Sequence, residues 1–346
     1  MAHYVLLLQP CPTLLQGLDK CRAALFNTLG AHVISIQPSN DRPSSPERAH
    51  RWARLLINPA SGAQGAVAQL PTIVHALEHA GLQAVVSFIT EERSPTEMAA
   101  QAAREQYDLV VAVGGDGTVS AVAHGLLGTD TPLGIVPVGT YNNIARSLNI
   151  PATVEDAVGV LIHGQLWRID SATANGRPFM EVAGVGLDAQ LFPVAEAIKS
   201  GAWSALPEAV QTLGAYQPSE LVIEFSDGSR IATTPLLALV SNMPYFGVGF
   251  AIAPTTRPDS GQLVLSLFEN MSKLELLGYF AAIANGRQAD EPRITTYQGP
   301  SFRIMTAAPP EMPVQADGQV VGETPVVFAV QPHALTVLAP PHPASA

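Results

Sequence analysis

Between residues 53 and 148 the chain repeats one pattern: a short apolar run, a polar loop rich in Gly, Asn or Thr, and a helical stretch. ARLLIN (53–58) ends in PASGAQG and precedes a helical stretch at 66–80. LQAVVSFIT precedes a helix to about Gln106, DLVVAV runs into GGDGT and another helix, and PLGIVPV (132–138) runs into GTYNN. Strands alternating with helices of this length make βαβ units and a parallel sheet. Ligands on such sheets bind beyond the carboxyl ends of the strands. The loops NPASG, TEERSP, GGDGT and GTYNN are therefore expected to converge on one edge.

After Trp167 the spacing changes. RPFMEVAGVGLDA, ELVIEFSDGSRIATTPLLALVSN, GQLVLSLFEN, SFRIMTA, PVQADGQVVG, TPVVFAV and ALTVLAP are short apolar runs broken by Gly, Pro and Asp. That rhythm predicts a mainly antiparallel β domain, interrupted by helices around 193–213 and 273–284. The expected class is α/β plus mainly β in two domains: an α/β domain with a parallel sheet at 51–167 and an antiparallel, β-sandwich-like domain at 168–340. Residues 1–50 read as an amino-terminal strand–helix–strand extension, its helix around 14–29, closed by the polar linker SNDRPSSPERAH. Residues 341–346 read as a frayed tail.

Hydrophobic residues make up 47% of the chain and charged ones 14%, which is globular material. A net charge of −11 without a basic run argues against nucleic acid as a partner and against electrostatic attraction to anionic lipid surfaces. It leaves open a lipid held by apolar contacts. Cys11 and Cys21 lack the histidine partners of a zinc site, and reduced thiols in a cytoplasmic protein are the expectation. The apolar stretch 235–254 is interrupted by Asn242, Pro244 and Tyr245-Phe246-Gly247, so it reads as strands and a turn rather than a transmembrane segment.

Gly114, Gly115 and Gly117 stand where a strand meets a helix. There glycine permits positive φ and close approach of a ligand to the backbone. The helix behind them offers unpaired N–H groups and partial positive charge, which suits phosphate. Asp116 would repel a phosphate, so it reads as a proton acceptor, as a partner of a bridging cation, or as a cap on its own helix. The P-loop pattern and the dinucleotide-fold glycine spacing are both absent. The second loop, PVGTYNNIARSLNIP (137–151), repeats the arrangement. Gly139 and Thr140 turn the chain, Asn142 supplies a neutral donor, and Arg146 is a candidate for phosphate charge or a plain surface residue.

GGDGT, GTYNNIAR some twenty residues on, and NPASG some fifty before together resemble the diacylglycerol kinase catalytic-domain family. The likeness is to its bacterial lipid-kinase branch, related to sphingosine kinases and NAD kinases. It continues through IDSATANGRPF, GVGLDA, LVSNMPYFGVGFAIAP and VQADGQ and covers roughly residues 53–340. It implies an ATP- and Mg2+-dependent kinase whose α/β domain binds the nucleotide, with the active site in a cleft between domains and a lipid hydroxyl as acceptor. By this resemblance Asn58, Ser61 and Gly62 contact phosphates or ribose, and Thr90 lines the nucleotide site. Gly114, Gly115, Asp116, Gly117 and Thr118 cradle phosphates, with Gly139, Thr140 and Asn142 completing the wall and Asp116 also meeting the metal. Asp170 and Asp188 face the acceptor, and Asp317 and Gln319 occupy the family's D-G-E position, whose final acid is the usual base. A cytoplasmic protein reaching lipid at a membrane surface follows, with the oligomeric state left open, a homodimer included.

Several residues depart from that pattern. Gln319 stands for the family's glutamate, and an amide takes no proton from an alcohol at neutral pH. Asp317, Asp170, Asp116 and Glu323 are the carboxylates left to replace it. Asn143 stands for a common aspartate, Ala121 for a glutamate and Glu181 for an asparagine. Pro258-Asp259-Ser260-Gly261 carries D-S-G where D-D-G is common, which weakens the case for a secondary magnesium site. Gln319 keeps two alternatives open: a binding protein of the same fold with weak or no turnover, and a kinase of a soluble hydroxyl acceptor. His75-Ala-Leu-Glu78-His79 also matches a zinc-protease pattern, without the surrounding context that pattern needs. KSGAWSALPE, with Lys199, Trp203 and Leu206, is a candidate bilayer contact.

Overall fold

The computed structural model describes residues 4–5, 34–35, 51–61, 66–187, 214–247, 249–284 and 293–341. The helices expected at 14–29 and 193–213, Cys11 and Cys21, Gly62, Asp188, the Lys199–Trp203–Leu206 stretch and residues 342–346 lie outside the described residues. Two compact units emerge. One holds the chain up to Trp167 and from Leu335 onward, and the other holds Arg168–Ala334.

In the first unit β1 (Tyr4–Val5) and β2 (Ile34–Ser35) pair in parallel. The main sheet starts with β3 (Arg51–Ile57). A 3-10 turn at Ala66–Gln69 leads into α1 (Leu70–His79), where Pro71 fits because the first helical turn needs no N–H donor there. Then follow β4 (Leu82–Phe88), α2 (Pro95–Arg104), β5 (Leu109–Gly114), α3 (Asp116–Leu126) and β6 (Leu133–Pro137). The short α4 (Asn143–Ser147), α5 (Val154–His163) and the start of β7 (Gln165–Ala174) complete the run. The four central strands lie in the order β6-β5-β3-β4, all parallel, with Leu55 opposite Val111 and Val111 opposite Gly134. β5 is buried along its whole length, which explains why LVVAVG is continuously apolar rather than alternating. α1 turns Leu70, Ile73 and Leu77 into the core shared with Leu55, Val111 and Val136.

The second unit is antiparallel. Its strands are β8 (Arg177–Phe179), β9 (Val182–Val185), β10 (Leu221–Phe225), β11 (Arg230–Thr233), β12 (Leu237–Ser241), β13 (Tyr245–Phe246), β14 (Phe250–Ala251) and β15 (Leu263–Phe268). After α6 (Lys273–Ala284) come β16 (Ile294–Gly299), β17 (Ser301–Thr306), β18 (Pro313–Ala316), β19 (Gln319–Glu323) and β20 (Val326–Ala339). One sheet runs β16-β15-β12-β9-β18-β19; a second set runs β11-β10-β17-β20. Their shared core is built on Phe179, Phe268, Phe302 and Phe328, with Phe179 and Phe328 packed edge to face. The end of β20 returns to the first unit, where Val337 pairs in parallel with Leu133 of β6.

Candidate functional site

In the first unit the loops after β3, β5 and β6 are tied into one structure at the carboxyl ends of the parallel strands. Asn58 follows β3, its N–H donating to Val113 O at 3.1 Å. Its side-chain Nδ2 donates to the buried Thr118 Oγ1 at 3.2 Å, and its Oδ1 accepts from Ala60 N at 3.0 Å. Asn58 therefore fixes the rotamer of Thr118 from the neighbouring strand. Ser61 donates its N–H to Asn58 O, and Thr90, after β4, closes a tight turn by accepting from Arg93 N.

The glycines divide by what surrounds them. Gly114, Gly115, Gly117 and Gly139 are not among the positive-φ residues, so the expectation of positive φ at 114, 115 and 117 is corrected. At three of the four, close approach sets the requirement instead. A Cβ on Gly114 would lie 2.5 Å from Thr118 Cβ, and one on Gly139 would lie 2.5 Å from Gly115 Cα. A side chain at Gly114 would displace Thr118, and one at Gly139 would drive the two loops apart. A Cβ on Gly117 would meet nothing within 4 Å. That position opens outward at the first turn of α3, where Thr118 N and Val119 N already turn back to Gly115 O at 3.0 Å.

Asp116 is not the cap of its own helix. Gly115 holds that place, while an Asp116 oxygen accepts from Ile144 N in α4 at 3.0 Å. The second loop explains why α4 needs this. Asn142 precedes α4 with φ 51° and ψ 48°, where a capping residue is ordinarily extended. Its side chain turns back on the loop, accepting from Gly139 N at 3.0 Å and donating to Gly139 O at 2.9 Å. Thr140 and Arg146 are exposed on this loop.

In the second unit the acidic residues hold backbone. Asp170 is buried, its side chain 1% exposed, with Oδ1 accepting from His333 N at 2.8 Å and Oδ2 from Gly261 N at 2.6 Å. The expectation that Asp170 faces an acceptor does not match this burial; it clips β7 to the 258–261 turn and to β20. Asp317, at φ 45°, accepts from Met180 N at 2.7 Å and Glu181 N at 2.8 Å, closing the turn between β18 and β19 onto the start of β9. Gln319 opens β19 and is exposed, as is Glu323 at its far end. Asn242, read from sequence only as a break in an apolar stretch, is buried and donates through Nδ2 to Met180 O and Asp170 O, linking the two clips. Its signal was an amide inside the apolar run LALVSN.

In the 258–261 turn Asp259 bonds Arg257. His75 and His79 are exposed on α1 with rings 4.4 Å apart, and among the described residues no three His, Cys, Asp or Glu side chains gather as a metal site. Among those residues, too, no helix is long and apolar enough to cross a membrane.

Comparison with known proteins follows the same division. Residues 52–174 match the diacylglycerol kinase catalytic domain, and residues 181–339 match the YegS C-terminal NAD kinase beta sandwich-like domain. A diacylglycerol kinase of Staphylococcus saprophyticus is 27% identical over 285 residues, covering 80% of this chain and 91% of that protein. One of Bacillus subtilis is 28% identical over 282 residues, covering 80% and 92%. A crystal structure of a putative diacylglycerol kinase from Bacillus anthracis superposes with a TM-score of 0.70 at 24% identity, covering 84% of this chain and 98% of that one. At that identity the likeness speaks for the fold. The paired domain matches, the like-named relatives and the ordered motifs agree: this chain belongs to the diacylglycerol kinase catalytic-domain family.

Proposed function

We propose that this chain, a lipid kinase of the diacylglycerol kinase type, binds ATP at the glycine cradle of its first unit and transfers the γ-phosphoryl group to a lipid hydroxyl. The observation that carries the reading is the sorting of glycines. Gly114, Gly115 and Gly139 are consumed by packing, whereas Gly117 leaves the backbone N–H groups at the start of α3 accessible to phosphate oxygens. The backbone around Gly115–Gly117 would hold phosphates, with Thr118, whose N–H is bonded to Gly115 O, buried behind it and Gly139 and Thr140 at the facing wall. Asn58 keeps the Thr118 hydroxyl in place, and Ser61 and Thr90 belong to neighbouring strand ends.

Mg2+ fits this donor set. Asp116 would be the carboxylate nearest the phosphates, and Mg2+ is ordinarily held by one or two carboxylates together with substrate phosphates and water. When bound it neutralises charge developing on the transferred group. The chain's own work is positioning: phosphoryl transfer passes through a loose transition state, in which orientation and charge count for more than a strong base. Asp170 and Asp317 are committed to backbone clips, so the exposed Gln319 leaves proton removal to solvent or to a group on the acceptor side. A missing general base costs about 10²–10⁴-fold rather than all activity. The acceptor is a lipid alcohol without negative charge, diacylglycerol-like or sphingoid, in keeping with a net charge of −11. A cytoplasmic enzyme meeting its lipid at the membrane surface is the setting that fits.

The test is transfer of labelled γ-phosphate from ATP to diacylglycerol, sphingoid base, monoacylglycerol and phosphatidylglycerol in mixed micelles. A labelled lipid that requires Mg2+ is expected. ATP hydrolysis without labelled lipid, or transfer only to a soluble alcohol, would contradict the lipid reading.

A further inference from the structure

We propose that Asp116 is a positioning residue: its carboxylate clasps the two glycine loops into one rigid cradle, and this clasp, more than its negative charge, sets nucleotide affinity. The proposal rests on the ATP-binding reading above.

Three features of the first unit support it. Residues 114–118 and 137–143 meet backbone to backbone at Gly115 and Gly139, a contact with no room for one methyl group. Val138 N donates to Gly114 O at 3.0 Å beside that contact, so the loops are joined on their strand side. On the helix side the joint is the Ile144 N to Asp116 bond, reaching across 28 residues of sequence. A hydrogen bond between a backbone N–H and a carboxylate is charge-assisted and roughly twice as strong as a neutral one.

The second loop cannot supply this acceptor itself. Asn142 is in the left-handed region and spends its amide on both polar groups of Gly139. α4 is only five residues long, too short to persist without tertiary support. Asp116 thus does for α4 what the residue before a helix ordinarily does. An aspartate that looks like a metal ligand in sequence is, through at least one oxygen, a strut between two walls of the phosphate site. With the walls fixed in advance, binding ATP need not order them, and affinity gains accordingly.

Asparagine at 116 keeps an oxygen able to accept from Ile144 N but removes the charge; alanine removes both. Gly139→Ala leaves the charge and forces the walls apart. Amide hydrogen exchange at Ile144 in nucleotide-free protein reads the clasp directly, and calorimetric titration of Mg-ATP reads its consequence. Asp116→Ala should speed Ile144 exchange by about tenfold or more, the scale of one lost charge-assisted bond, while Asp116→Asn stays near wild type. Mg-ATP affinity should fall at least about tenfold in Asp116→Ala and Gly139→Ala, and at least about threefold less in Asp116→Asn than in Asp116→Ala, because asparagine keeps the clasp and loses only the charge. In the Asp116→Ala/Gly139→Ala double variant the two losses should not add, because both open the same joint. Wild-type exchange at Ile144 in Asp116→Ala would overturn the clasp. Equal loss of ATP affinity in the asparagine and alanine variants would overturn the primacy of position over charge. If wild type bound no nucleotide, the ATP reading would fall and the affinity claim with it, while exchange at Ile144 would still decide the clasp.

Discussion

The two units use aspartate in opposite surroundings. In the first, Asp116 lies beside a glycine whose Cβ direction is open, and its bond to Ile144 N joins the two loops of the proposed cradle. In the second, Asp170 and Asp317 each hold two backbone N–H groups, and the loops they hold are closed onto the protein itself. Carboxylates that look equally catalytic in sequence therefore differ in what they hold. Those of the second unit shape strands and turns, and Asp116 joins the two loops of the proposed phosphate cradle.

The sharpest way to break this comparison is Asp170→Ala. Removing a buried acceptor leaves the N–H groups of Gly261 and His333 without it, at a cost of about 3 kcal/mol, seen as a lower denaturant midpoint. A variant of wild-type stability with abolished transfer would instead return Asp170 to catalysis. Asp317→Ala should cost less, about 2 kcal/mol, because the residue is only half-buried and water can reach the freed donors.

Gln319→Glu sharpens the comparison from the other side. It adds a carboxylate at an exposed position already aligned in β19, so stability should change little while lipid phosphorylation rises by about tenfold or more. An unchanged rate would show that no proton acceptor is missing at that position.

The smallest effect concerns α6. Ser272 N donates to Glu275 and Glu275 N donates to Ser272 Oγ, a reciprocal box at the helix start. The backbone bond from Ser272, then its hydroxyl and Arg293, hold the Glu275 pKa down from 4.5 to about 2. Because the folded value is depressed, this contribution is present above the unfolded value near 4.5 and is lost as pH falls through about 2. Ser272→Ala should flatten stability against pH within that window, by a small margin because the box is exposed. The backbone N–H of residue 272 survives in the variant, so an identical profile would remove the Ser272 hydroxyl, and not the backbone bond, as a contributor.

Much of the first unit was legible because its signals are local. LVVAVG is apolar throughout since β5 is covered on both faces, and each polar loop follows its strand directly. The site was legible as a set of loops but not as a mechanism of assembly. Sequence shows that Gly114 and Gly139 lack side chains; it does not show whether φ or a neighbour at 2.5 Å demands it. The roles of Asp170 and Asp317 were hidden for a different reason. Their partners are 91 and 163 residues away for Asp170 and 137 and 136 for Asp317, so no local pattern marks them. The return of β20 to pair with β6 was likewise unreadable, since ALTVLAP carries the alternation of any strand.

If Gly117 is glycine for a ligand and not for the fold, Gly117→Val separates the two. A Cβ there meets nothing within 4 Å beyond its own chain neighbours and helix backbone and requires no left-handed φ, so the variant should melt within a few degrees of wild type. Calorimetric titration with Mg-ATP should nonetheless show affinity reduced by about 100-fold or lost, because the valine occupies the space where phosphate approaches the N–H groups of α3. Wild-type affinity in a folded Gly117→Val protein would contradict the account and place the nucleotide elsewhere.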